Sequence, residues 1–327
     1  MDEVDFLPSS IAKLSFLLSL NLSENHIISL PTSISTFSSL TTLDLHSNLL
    51  SSLPHSIGDL PKLSFLRLSC NLLTSLPTSI GKLANLLELD LSSNLLSSLP
   101  DAIGRLASLK KLNLQANNIE ELPHTIANFA SLIELRADYN HLKGLPEAIG
   151  RLFNLEILVV KYNNIKLLPT SMASLSRLKE VDLSFNELES IPESLCLVTS
   201  LVKMNVGNNF ADLKLLPKAI GNLEMLEELD ISNNQIRVLP DSFGMLTQLC
   251  VLRTEQNPWE LPPRQITEMG AQAVVHYIAE MVAKRAVGFR PSKSKKAFSK
   301  FIFFFFNFSK RKHGAHDTLK QIVRSPQ

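Results

Sequence analysis

An asparagine recurs at a fixed interval along this 327-residue chain, and no other feature constrains the fold as strongly. The interval is 23 residues at every step except one of 25. An apolar frame precedes each asparagine, as Leu43 and Leu45 precede Asn48, and a second frame such as Leu53 and Pro54 follows it. Eleven units at nearly one period predict a repeat architecture. The series is Asn25, Asn48, Asn71, Asn94, Asn117, Asn140, Asn163, Asn186, Asn209, Asn234 and Asn257.

The spacing within one unit predicts its local structure. Alternation of Leu43 and Leu45 with polar residues is typical of a short strand that buries one face. An asparagine side chain both donates and accepts hydrogen bonds, so the eleven asparagines are expected to form a structural ladder that satisfies backbone groups beyond each strand. Pro54 suits the return segment, and Ile57 and Leu60, three residues apart, suit a short helical turn.

Such units cannot fold singly, because only stacked units bury a continuous core. The sequence therefore predicts an α/β fold, a leucine-rich repeat solenoid shaped as a curved horseshoe. We expect a parallel sheet on its concave face, short helical turns on its convex face and a C-terminal cap helix. Three regions are predicted: a solenoid of eleven units over residues 1–262, a cap helix over 263–285 and a basic, Phe-rich tail over 286–327.

The repeats resemble one family in particular. The stretch 99–106, LPDAIGRL, is similar to the Ras-group leucine-rich repeats, and residues 255–285 are similar to the cap of plant intracellular Ras-group-related leucine-rich repeat proteins. The resemblance covers residues 7–285 and implies an intracellular signalling scaffold whose partner is a small GTPase or a protein phosphatase. Only six residues precede the first repeat frame at Leu7 and Pro8, too few to cover the edge of a terminal repeat. Members of the plant family usually carry a long N-terminal extension, which this sequence lacks. We therefore expect this sequence to be a fragment, an incomplete gene product or a protein that borrows a cap from a partner.

The tail differs from the rest of the chain in charge. Residues 284–327 hold 12 basic residues and one acidic residue, whereas residues 1–283 hold 20 basic and 30 acidic residues, a net charge of −10. Three interpretations stay open: a disordered end without function, an anchor to an anionic membrane surface, or a short docking peptide. For the last, residues 285–289 and 300–304 both resemble the motif by which regulators dock protein phosphatase 1. A cytoplasmic location is expected, with membrane-peripheral and nuclear locations as alternatives.

The concave face is the usual partner surface of a solenoid. Mixed charges dominate its predicted outward positions, and arginine and tyrosine are enriched at binding hot spots. We therefore predict a partner-binding surface centred on the sixth to eighth units. The alternative is that the aromatic residues before the asparagines only pad the strand edge. The predicted partner-binding residues are Phe65, Arg67, Lys111, Glu134, Arg136, Asp138, Tyr139, Ile157, Val159, Lys161, Tyr162, Asp182 and Phe185.

Other classes of function lack their sequence signals. The chain has 11 glycines and no glycine-rich phosphate loop, and no G-x-S-x-G motif occurs. Its three cysteines, Cys70, Cys196 and Cys250, are too far apart for a C-x-x-C metal site. An acidic solenoid disfavours nucleic acid as its ligand. The sequence therefore predicts a protein that binds another protein, without catalysis, cofactor or metal.

Overall fold

The computed structural model describes residues 15–209 and 213–286. The chain divides into two units, with the boundary between residues 278 and 279. The first unit contains the repeats, and residues 279–286 of the second complete the last helix. The predicted tail from residue 287 onward lies outside the described residues. Within the described ranges, no helix is both long and apolar enough to cross a bilayer.

Eleven strands of three residues each form one parallel sheet in which every strand lies beside its sequence neighbour. The register advances by one repeat per strand, so that Ser19 pairs with Thr42 and Thr42 with Phe65. Equivalent positions of successive repeats therefore stand side by side, and the predicted solenoid is confirmed. The strands are β1 Ser19–Asn21, β2 Thr42–Asp44, β3 Phe65–Arg67, β4 Glu88–Asp90, β5 Lys111–Asn113, β6 Glu134–Arg136, β7 Ile157–Val159, β8 Glu180–Asp182, β9 Lys203–Asn205, β10 Glu228–Asp230 and β11 Val251–Arg253.

Short 3-10 helices return the chain from one strand to the next. A proline caps each of them except the one that follows Ala219, because proline fixes φ and lacks the N–H that a helix start leaves unpaired. Stacked leucine and isoleucine side chains fill the space between these helices and the sheet. The helices described are Thr32–Thr36, His55–Asp59, Thr78–Lys82, Asp101–Arg105, His124–Asn128, Glu147–Arg151, Thr170–Ser174, Glu193–Leu197, Ile220–Asn222 and Asp241–Met245.

The repeated asparagines form a buried hydrogen-bonded ladder. The side-chain amide of Asn140 donates to the carbonyl oxygens of Leu114 at 2.9 Å and Ala137 at 3.2 Å. Its Oδ1 accepts from the backbone N–H of Ile119 at 3.0 Å. One side chain thus satisfies backbone groups in two repeats. The nine asparagines from Asn48 to Asn234 are buried, whereas Asn25 and Asn257 at the ends are half-buried.

The C-terminal end of the repeats differs from the single cap helix predicted over 263–285. Two helices are present, α1 over Arg264–Thr267 and α2 over Ala271–Ala286. Gly270 separates them with a φ of +93°, a left-handed conformation that disfavours residues with a Cβ and ends the first helix.

Candidate functional site

The first group of predicted site residues lines a groove on the sheet face. The groove has a volume of about 470 Å³ and crosses strands β3 to β6. Lys111 Nζ lies 3.6 Å from Glu88 Oε1, and Arg136 Nε donates to Glu134 Oε1 at 2.6 Å. Charges of both signs are therefore paired within the groove. The structure brings together five of the predicted residues here, namely Phe65, Arg67, Lys111, Glu134 and Arg136.

Strand β7 interrupts this polar surface with two apolar residues. Ile157 is half-buried and stands in register between Glu134 and Glu180. Val159 was predicted to be exposed, but its exposed fraction is only 3%. It lies in register between Arg136 and Asp182, on strands only about 4.8 Å away, where a short side chain is shielded from solvent. A partner that contacts β7 would therefore meet Ile157.

Asp138 departs most from its predicted role as a contact residue. Its exposed fraction is 3%, and its Oδ1 atom has no hydrogen-bond partner among the described residues. Burial raises the pKa of its carboxyl above the usual value, and the backbone N–H of Asp138 and the nearby Lys161 and Arg136 only partly oppose this effect. The prediction that Asp138 is a surface contact is therefore wrong, because the side chain is buried.

Replacing Asp138 with asparagine is expected to stabilise the protein at neutral pH. A raised pKa in the folded state means that ionisation favours the unfolded chain, so stability falls as pH rises through the unfolded pKa towards the folded one. The amide of asparagine does not ionise, so the variant does not lose this stability as the pH rises. Melting temperatures of both proteins should converge in acid and separate, with the variant higher, at pH 7. A variant that melts lower than the parent at pH 7 would contradict this explanation.

The second group of predicted residues includes a stack of three aromatic rings. The ring centroids of Tyr139 and Tyr162 are 4.4 Å apart at an interplanar angle of 11°, and those of Tyr162 and Phe185 are 4.0 Å apart at 10°. All three residues lie beyond the ends of β6, β7 and β8, at the edge of the sheet. Burial and the neighbouring Tyr139 raise the pKa of the Tyr162 hydroxyl. The stack is a flat apolar surface beside the charged sheet face.

The backbone explains the outward direction of these rings. The residue before every ladder asparagine has a positive φ of 52–58°, including Tyr139, Tyr162 and Phe185. This left-handed conformation turns the chain sharply, so that the asparagine points into the core while the preceding side chain leaves the strand plane. The edge position of the aromatic residues follows from the turn, and a strand pattern alone does not predict it.

Lys161 and Asp182 complete the second group. Lys161 is half-buried and forms no ion pair with another described residue. Asp182 Oδ1 accepts hydrogen bonds from the backbone N–H of Ser184 at 3.0 Å and from its hydroxyl at 2.6 Å. Lys161 is thus available to a partner, whereas Asp182 is already engaged in shaping the turn.

Sequence reasoning missed a row of exposed leucines at the same edge. Leu49, Leu72 and Leu95 each follow a ladder asparagine and are 40%, 44% and 47% exposed. The signal was present as the doublet Leu-Leu after three successive asparagines, in which the second leucine alone enters the core.

Family profiles match three parts of the chain: Leucine-rich repeat region over residues 89–205, Leucine rich repeat over 15–73 and Leucine Rich Repeat over 225–246. These matches and the eleven-stranded sheet agree. The chain is a leucine-rich repeat protein. A leucine-rich repeat protein of Leptospira interrogans has the same fold, with a TM-score of 0.69, 28% identity and coverage of 81% of this chain and 79% of that one.

Sequence relatives of this leucine-rich repeat protein confirm the predicted resemblance. Plant intracellular Ras-group-related LRR protein 4 of Oryza sativa is 58% identical over 119 residues, which are 36% of this chain and 20% of the relative. The matched stretch thus spans about one fifth of that relative. Among solved structures, the plant peptide hormone receptor RGFR1 in complex with RGF2 aligns with a TM-score of 0.59 and 26% identity, over 77% of this chain and 50% of the receptor.

Proposed function

We propose that this protein is an intracellular signalling adaptor that holds a globular protein partner, a small GTPase or a protein phosphatase, on its sheet face. The contact is centred on Ile157 and Lys161 of the seventh repeat and is bordered by the aromatic stack Tyr139–Tyr162–Phe185. The observation that carries the proposal is the apolar residue Ile157 on β7 together with the aromatic stack at the adjoining sheet edge, on a sheet face that is mostly charged.

The composition of this surface supports protein binding. Binding energy at protein interfaces concentrates in a few aromatic and basic residues surrounded by polar contacts. Ile157 and the three rings offer apolar area, while Glu134 and Glu180 flank the isoleucine on both sides. The Ras-group names of the sequence relatives support the GTPase as partner class, and the peptide complex of the structural neighbour supports a protein ligand in general.

Charge reversal of Lys161 to glutamate is expected to weaken capture of the partner by at least about ten-fold, as loss of a hot-spot residue does. The measurement is binding of the immobilised full chain to a purified small GTPase, in its GDP and GTP-analogue states, and to a purified phosphatase catalytic subunit. Because Lys161 makes no internal ion pair with a described residue, its reversal breaks no existing bridge.

A matched control is Lys82→Glu. Lys82 ends a 3-10 helix on the opposite side of the repeats, and its Nζ lies 3.0 Å from Asp59 Oδ1, so this reversal breaks an ion pair. Unchanged capture by Lys82→Glu with loss by Lys161→Glu supports the sheet face as the site. Equal capture by both variants would refute the site, and absence of binding to either purified class would refute the proposed partners.

A further inference from the structure

The aromatic stack ends abruptly at Tyr139. The same position one repeat earlier is Ala116, which has the same φ of 54° but only a methyl side chain. Tyr139 is 44% exposed, whereas Tyr162 and Phe185 fall in the intermediate range of exposure. One ring face of Tyr139 is covered by Tyr162, and the other faces the repeat in which Ala116 leaves room.

The spacing of the stack defines the shape of the missing group. Successive ring centroids are 4.0 and 4.4 Å apart, so a flat group that lies parallel to the ring of Tyr139 would continue the stack above Ala116. A tetrahedral ammonium lacks this shape. An arginine guanidinium is planar and weakly hydrated, and it stacks on aromatic faces.

The charge of the surroundings favours a cation. The three repeats around the open face, residues 88–156, hold nine acidic and six basic residues, a net charge of −3. Residues 1–283 as a whole carry a net charge of −10, with 20 basic and 30 acidic residues. The negative face of an aromatic ring adds a further attraction for a positive group.

We propose that the partner inserts an arginine above Ala116, with its guanidinium stacked on the open face of Tyr139. This inference rests on the proposed function and adds the chemistry of one anchor. Ala116 is then a specificity residue, since a bulky side chain at this position closes the slot. A lysine or an aromatic ring of the partner is a competing occupant that the experiment below separates.

The test uses the tyrosine content of the chain. Its three tyrosines are Tyr139, Tyr162 and Tyr277, so the full chain with 13C-labelled tyrosine gives three assignable ring signals. Hexa-arginine and hexa-lysine peptides serve as probes of equal charge. We expect hexa-arginine to shift the Tyr139 signal saturably and to bind about two- to five-fold more tightly than hexa-lysine, as stacking of a cation on an exposed ring predicts. Tyr277 should not respond.

The matched variants are Ala116→Phe, which fills the slot, and Ala116→Ser, which copies Ser93 at the preceding repeat. Three aromatic residues already occupy this backbone position in later repeats, so the phenylalanine suits the fold. Ala116→Phe should abolish the Tyr139 response, and Ala116→Ser should retain it. Equal responses to both peptides, or an unaltered response in Ala116→Phe, would overturn the arginine anchor. The Lys161 capture measurement is independent, so it separates failure of this anchor from failure of the adaptor function.

Discussion

Alanine in place of Asn140 is expected to lower the free energy of unfolding by about 3–5 kcal/mol. The substitution leaves the N–H of Ile119 without a partner. It also removes one of the two side-chain donors to the carbonyls of Leu114 and Ala137, which keep their hydrogen bonds from Asn117 and Asn163. A buried N–H without a partner costs about 1–3 kcal/mol, and each of the two lost hydrogen bonds costs about 0.5–1.5 kcal/mol. The side chain is 5% exposed, so water reaches these groups poorly. Urea unfolding followed by circular dichroism measures the loss.

Asn118→Ala is the matched control, because Asn118 is exposed and lies only one position beyond the ladder residue Asn117. A change within about 0.5 kcal/mol is expected there. Asn257→Ala should fall between the two, since this end of the ladder is half-buried. Equal effects of Asn118→Ala and Asn140→Ala would show that the ladder does not hold the repeats together.

A second large effect is expected from Gly58→Ala. A Cβ at this position would overlap the backbone carbonyl of Ser79 in the next repeat. Backbone cannot rotate away as a side chain can, so the two neighbouring 3-10 helices must separate. Overpacking of this kind costs about 1–3 kcal/mol, and we expect the upper part of that range. The same urea titration measures it.

Gly144→Ala is the matched control, because it adds the same methyl group at a position where that group contacts no other residue. No atom lies within 4 Å of a Cβ built on Gly144. The free energy of unfolding of the Gly144→Ala variant should equal that of the parent or exceed it by up to about 1 kcal/mol, because alanine restricts the conformations of the unfolded chain. Ala127 and Ala173 occupy the position equivalent to Gly58 in other repeats, so a spacing that accepts a methyl exists. A loss below 0.5 kcal/mol for Gly58→Ala would mean that this wider spacing is reached at little cost.

The fold was predictable from sequence because the asparagine and leucine positions repeat the same requirement eleven times. One unit alone is weak evidence for a repeat fold. A period that all eleven units share is compatible with only one architecture, the stacked solenoid. The break at Gly270 was missed, since the apolar stripe continues across it and only the left-handed φ reveals the interruption.

The sequence predicted which strands carry the candidate residues, but it did not predict how deeply each side chain is buried. Alternation along a strand tells which face a side chain takes, but not whether its neighbours cover it. Val159 and Asp138 therefore prove to be buried although their positions point outward. The stacking of Tyr139 on Tyr162 depends on the distance between neighbouring strands and on a turn with a positive φ. No sequence pattern predicts that φ.

Because the register between neighbouring strands is constant, whole repeats can be removed from or added to this chain without changing the pairing of the other strands. Removing residues 111–133 in phase would let β6 pair with β4 without shifting any other strand, since each strand meets its neighbour at equivalent positions. Tyr139 would then adjoin Ser93 in place of Ala116, and His141 would adjoin Leu95, the last residue of the exposed leucine row. Insertions and deletions of one whole repeat thus change which surface residues are neighbours, while the packing within each remaining repeat stays the same.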